Sequence, residues 1–225
     1  MSSPESNIPC TITRPWAIYR PPVYRYLKPE HVEEFFARGS LHLSSFAAFQ
    51  KHNDDERQDS EEGKNHLIFQ NRDAGLGVGT ITSHGEDAYV LCTCMQLDPE
   101  RRSRWGGSYI QINNMTAFAS AISAHIPGFK GGLEGSCVYQ ERRILTGDSG
   151  NLTQADVMKE GKVDLGKTIT ISQSLAGPDV FFTKLRKHAA DQEYRFLWFS
   201  TRPCQEHLVI ECPEARELCS RPPIN

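Results

Sequence analysis

No hydrophobic run in this 225-residue chain is long enough to cross a bilayer as a helix, which takes about 20 residues. The first ten residues, MSSPESNIPC, lack the charged start and apolar stretch of a secretory leader, so the cytoplasm is the expected compartment. There is no excess of one charge either. Twenty-five Lys and Arg stand against 28 Asp and Glu, which excludes a global field drawing the protein to nucleic acid or an anionic membrane. The usual catalytic signatures are missing: no GxGxxG, Walker loop, GxSxG or HExxH occurs. The seven cysteines form no zinc spacing, because the one close pair is Cys92 and Cys94. Two thiols buried on one strand face are the expectation there, and an odd cysteine count without a leader implies reduced thiols.

What is present is ordinary globular composition, 38% hydrophobic and 24% charged, in a chain long enough to bury a core without staples. Residues 1–22 are rich in Pro, Ser and Thr and read as an irregular arm, leaving 23–225 as a single domain. VYRYL (23–27) alternates β-formers and predicts a strand; PEHVEEFFARG predicts a helix from Pro29 to a stop at Gly39. SLHLS (40–44), NHLIFQ, VGTITS, DAYVLCTCMQL and SYIQIN predict further strands, and MTAFASAISAHI (115–126) a helix. GSCVYQERRIL (135–145) returns to strand. DVFFTKLRKHAADQ (179–192) has the apolar spacing of an amphipathic helix, and EYRFLWFS and HLVIEC predict closing strands paired as a hairpin. Strands outnumber helices with no βαβ alternation. The expected class is α+β, a largely antiparallel sheet with a few flanking helices.

Charges inside apolar strands are the informative residues. Glu193 opens a strongly apolar strand beside aromatics, where a carboxylate is desolvated yet within reach of a ligand. Arg195 shares its face, so a structural ion pair is the plain alternative. Arg25 lies between Tyr24 and Tyr26 and needs an anion, a ligand phosphate, Glu193 or an acid of the 54–62 loop, and residue types alone favour a structural pair. The acidic run 53–62 offers oxygen ligands for a hard cation but lacks the order of an EF-hand, so it reads as a solvated loop. The basic spots at Arg101–Arg104, Arg142–Arg143 and Lys184–Lys187 read as solvated faces, and His42 and His66 as structural.

VYRYL, FFARGSLHLSSFAAFQ, the acidic stretch, VLCTCM and FFTKLRKHAADQEYRFLW, taken in order, resemble a group of uncharacterised bacterial proteins with an N-terminal YRY-like strand and a C-terminal E-Y/W-R strand. The same order is similar to the split core of ADP-ribosyltransferases, which cut NAD at its nicotinamide–ribose bond. That resemblance implies a split sheet, NAD as substrate, and no metal. It implies Glu193 as catalytic carboxylate, Arg25 as clamp for the dinucleotide, and Tyr26, Ser44, Ser45 and Phe46 as lining of the nicotinamide pocket. The chain departs from the family in lacking an S-T-S triplet and in carrying Asp191 two residues before Glu193. The resemblance further implies a toxin or antiviral effector that modifies a protein or nucleic acid and is held by an antitoxin or regulatory partner. Two other readings stay open: a metal-dependent hydrolase or nuclease built on the acidic loop, and a non-catalytic binding or regulatory module.

Overall fold

The computed structural model describes residues 20–51, 64–71, 76–83, 87–148 and 152–222. The acidic run and most of the N-terminal arm lie outside these residues. Along the chain, β1 (Val23–Leu27) leads through α1 (Pro29–Arg38) to β2 (Ser40–Ser45) and the short α2 (Phe46–Gln50). Then come β3 (Lys64–Asn71), β4 (Leu76–Ser83), β5 (Ala88–Cys94), α3 (Pro99–Arg104), β6 (Ser108–Ile112) and α4 (Met115–Ser123). Next are β7 (Phe129–Ser136), β8 (Val138–Gln140), β9 (Ile144–Asp148), α5 (Gln154–Val157), β10 (Met158–Lys159), β11 (Lys162–Val163) and α6 (Leu165–Ala176). The chain closes with β12 (Thr183–Leu185), β13 (Glu193–Ser200), β14 (His207–Glu211) and β15 (Cys219–Ser220).

Eight strands form the main sheet, and every pairing in it is antiparallel. A smaller sheet, β4-β3-β9, contains one parallel pair, and β12 lies parallel to β8. The class is therefore α+β with a curled, largely antiparallel sheet. No helix among the described residues is long and apolar enough to cross a membrane.

The register around β5 positions everything that follows. One edge of β5 pairs with β13 along its whole length, from Glu193↔Cys94 to Phe199↔Ala88. The other edge is shared: β2 takes its start, at Ser44↔Val90 and Ser45↔Tyr89, while β1 takes its end, at Tyr24↔Cys94. Between them the edge around Cys92 is left to neither strand, so the sheet divides there. β5 was expected to be buried on both faces, and all of its residues except Cys92 are.

Alternation then separates two layers. Tyr89, Leu91, Phe196 and Trp198 join Val32 and Phe35 of α1 and Phe118 and Ile122 of α4 in the largest core cluster. Ala88, Val90 and Leu197 turn the other way, against Phe46, Phe181 and Phe199. α1 begins with Pro29, whose missing N–H costs nothing in a first turn. It ends at Gly39 in the left-handed conformation (φ 77°), whose N–H returns to the Phe35 carbonyl at 2.7 Å. Gly39 also meets Cys212 so closely that a Cβ would fall 2.1 Å from the Cys212 oxygen. α4 starts at Asn114, whose side chain accepts from the Ala117 N–H at 3.1 Å.

Two expected elements differ. Residues 179–192 do not form one helix: they run as a 3₁₀ turn (Gly177–Phe181), strand β12 and a second 3₁₀ turn (Arg186–Asp191). Pro178 precedes the segment, and Thr183–Leu185 gain a ladder with Val138–Gln140, which outweighs the helical spacing. Nor are β13 and β14 a hairpin. β13 lies between β5 and β7, and β14 pairs with β2 at the far side of the sheet.

Candidate functional site

A cleft of about 840 Å³ opens over the divided edge of β5. This volume lies within the ~300–1,000 Å³ typical of small-molecule sites. Its described lining includes Arg25 and its flanking tyrosines from β1, His42 and Ser44 from β2, and Cys92 to Cys94 from β5. The loop around Trp105, the segment Lys184 to Asp191, Glu193 and Arg195 of β13, and His207 of β14 complete it. Five Lys or Arg side chains and four histidines face three carboxylates, so the described wall favours an anionic ligand.

Alternation puts Arg25 on the same face as Val23 and Leu27, which pack with the main core. Its guanidinium instead turns into the gap between β1 and β2. There Nη1 donates to the Cys92 carbonyl at 2.8 Å, an acceptor that lies where the sheet ladder is interrupted. Arg25 thus substitutes for a missing strand; the Glu193 oxygens are taken by other donors, and the 54–62 acids lie outside the described residues.

Glu193 is only 6% exposed. Lys184 Nζ donates to its Oε2 at 2.7 Å, Arg195 Nε donates to its Oε1, and its backbone N–H donates to the Tyr139 hydroxyl at 2.7 Å. Burial opposes ionisation, but the charges and hydrogen bonds of Arg195 and Lys184 outweigh it and hold the carboxyl well below the usual range. Glu193 is therefore a fixed anion. Lys184 is itself buried, as is Arg143, whose Nη1 donates to the Thr183 carbonyl at 2.9 Å. The expectation of solvated basic faces fails at both. Lys184 reaches its acceptor from β12, and Arg143 reaches the β12 backbone from the bend before β9.

Asp191 is shifted in the opposite direction. Burial pushes its carboxyl above the usual value, Glu193 adds to that, and Lys184 and Arg101 oppose it. Arg101 holds the turn in place, donating to the Ala190 carbonyl at 2.6 Å and lying 3.7 Å from the Asp191 carboxylate. Between the two acids Gln192 adopts a left-handed conformation (φ 45°, ψ 50°), and its carbonyl accepts from the Met95 N–H at 2.9 Å. A non-glycine residue in that region stores strain of about 1–3 kcal/mol, the kind found where a site fixes its geometry.

Of the residues singled out from the sequence, Arg25, Tyr26, Ser44 and Glu193 all line this one cleft. Tyr26 is turned edge-on to Trp105 with ring centres 6.0 Å apart, and its hydroxyl accepts from the Asp98 N–H at 2.7 Å. Ser45 and Phe46 do not line the cleft; both are fully buried, Phe46 beneath the Arg195 guanidinium in the layer of Val90 and Leu197. The acidic run of the hydrolase reading lies outside the described residues. His207 escaped sequence reasoning. Its Nδ1 lies 3.4 Å from Ser44 Oγ, and its ring lies 4.9 Å from that of His42. Burial, then the neighbouring His207, Arg25 and His31 charges, lower the His42 pKa. Only the pairing of β2 with β14 creates this group, so a linear pattern carries no sign of it.

Comparison with protein-family models, with curated proteins and with solved structures finds no match to this chain.

Proposed function

We propose that the cleft binds NAD and that the protein is an ADP-ribosyltransferase-like enzyme. The observation that carries this reading is the placement of Arg25 and Glu193. They come from opposite ends of the chain and line one cleft across a single strand, with Glu193 held ionised by cations other than Arg25. Arg25 supplies charge that a pyrophosphate requires. Tyr24, Tyr26 and Trp105 supply aromatic surface for a ring.

The chemistry divides between the two acids. Glu193, saturated by cations, is too weak a base to take a proton. Its role is that of a fixed negative charge beside an oxocarbenium-like ribose carbon. The C–N bond to nicotinamide breaks with its electron pair leaving on nitrogen, and neutral nicotinamide departs. An acceptor hydroxyl or amine then forms the new bond to that carbon and passes its proton to Asp191, whose raised pKa suits a base.

A second reading rests on the low exposure of Glu193 and the occupation of both its oxygens. In it the Glu193–Lys184–Arg195 group is structural, and the cleft is an anion-binding module without turnover. Incubation with labelled NAD and cell lysate or RNA separates the two, with wild type, Asp191→Asn and Glu193→Gln compared. Label transfer or nicotinamide release by wild type, lowered in Asp191→Asn and lost in Glu193→Gln, supports the enzyme. Nucleotide binding without either product supports the module.

A further inference from the structure

Far from the cleft in function, a second cluster of donor atoms lies where the C-terminal segment folds back on α4. His125 stands in the turn after α4, Cys212 follows β14, and Glu214 is the second residue of the 3₁₀ turn Pro213–Leu218. His125 Nε2 lies 3.4 Å from Glu214 Oε2, and Cys212 Sγ lies 3.4 Å from the same oxygen. All three donor atoms fall within 4.8 Å of one another.

We propose that His125, Cys212 and Glu214 form a binding site for a borderline divalent transition metal of the zinc class. Zinc takes sulfur at about 2.3 Å and nitrogen or oxygen at about 2.0–2.2 Å, so tetrahedral ligands lie roughly 3.3–3.6 Å apart. Two of the three separations already have that length. The third closes by rotation of the His125 ring, whose side chain is 31% exposed. Sulfur, imidazole nitrogen and carboxylate oxygen together suit zinc rather than magnesium or calcium, which want oxygen alone.

Charge agrees with the assignment. One thiolate and one carboxylate neutralise a dication, and the thiol proton is released to solvent as the metal–sulfur bond forms. The Cys212 side chain is fully buried and forms no disulfide. The sulfur is also rigidly placed. The Cys212 N–H donates to the Gly39 carbonyl at 2.9 Å, and Gly39 packs against the Cys212 backbone with no room for a side chain. Glu214, 66% exposed, leaves a route for the ion and a fourth position open to water. A bound metal would tie the turn after α4 to the segment that carries β15.

Titration of the full-length protein with cobalt(II) tests the site. The expected result is one equivalent bound, with thiolate-to-cobalt charge-transfer absorption and the intense visible bands of four-coordinate cobalt. Cys212→Ser abolishes the charge-transfer band. Glu214→Gln, at an exposed position that leaves the fold intact by circular dichroism, weakens affinity by at least about tenfold, since even an outer partner of a ligand is worth that much. At one zinc concentration the unfolding temperature rises more in wild type than in Glu214→Gln. Absence of the band, its survival in Cys212→Ser, or unchanged affinity in Glu214→Gln overturns the assignment.

Discussion

The Arg25 guanidinium donates to the carbonyl of Cys92 across the gap between β1 and β2. Cys92 is in turn the residue opposite Arg195 on β13. One strand therefore separates the cation that closes the divided sheet from the cation that holds Glu193. A ligand phosphate entering the cleft meets a guanidinium already oriented by the backbone.

Arg25→Met leaves the Cys92 carbonyl without this donor and removes the charge. The expected loss of stability is about 1–3 kcal/mol, read from urea unfolding. Binding of NAD or ADP-ribose should fall at least about tenfold by calorimetry, because a charge-assisted bond is lost. Arg25→Lys should recover part of the affinity without the bidentate geometry. Equal affinity in Arg25→Met and wild type would remove Arg25 from the ligand site.

Glu193→Gln leaves Lys184 and Arg195 buried beside a neutral amide. Breaking such a group from one side costs about 3–5 kcal/mol, and the isosteric amide places this change at the lower end. The pH dependence has a definite sign. Because the folded carboxyl is held below its unfolded value, its contribution is complete above the ordinary glutamate pKa of about 4.3. It is lost as pH falls from there toward the lower folded value. Urea midpoints of wild type and variant should differ at neutral pH and converge in acid; a constant gap would contradict the ionised triad.

Asp191 predicts a separate pH effect on activity. With Asp191 as the proposed base, its raised pKa should put the acid limb of turnover above the ordinary aspartate value of about 3.9. Asp191→Asn should lower the rate and flatten that limb, with NAD affinity little changed. A limb that persists in the variant would assign the proton transfer to another group.

Gly39→Ala tests the joint between α1 and the C-terminal segment. The left-handed φ and the 2.1 Å approach to the Cys212 oxygen both penalise a methyl group. Destabilisation of more than about 1 kcal/mol is expected. Chemical denaturation measures it, and an unchanged midpoint would show that the segment yields freely.

The strands of the main sheet were legible because their patterns are strong and local. VYRYL, SLHLS, SYIQIN and EYRFLWFS alternate or run apolar over strand lengths, and each forms the strand expected. Pro29 and Gly39 marked α1 at both ends for the same reason. Residues 179–192 misled because Phe181, Phe182 and Leu185 have helical spacing while their partners lie far along the chain. Phe181 packs against Phe46 and Phe199, and Leu185 pairs with Gln140. The ends of the cleft were legible as charged residues in apolar strands, Arg25 and Glu193. Lys184, Asp191 and His207 were not, since each acquires its neighbours from pairing across the fold. Ser44 and Ser45 show the limit most simply: adjacent on one strand, one lines the cleft and the other is sealed in the core.

The division of the β5 edge has a mechanical consequence. A strand in the middle of a sheet is ordinarily its most protected part, yet β5 carries one peptide whose outer partner is a side chain. A side chain can be drawn away by a ligand without disturbing any strand, so occupancy of the cleft and the seal over Cys92 draw on the same guanidinium. Binding there would loosen the centre of the sheet at a single point while leaving its perimeter intact.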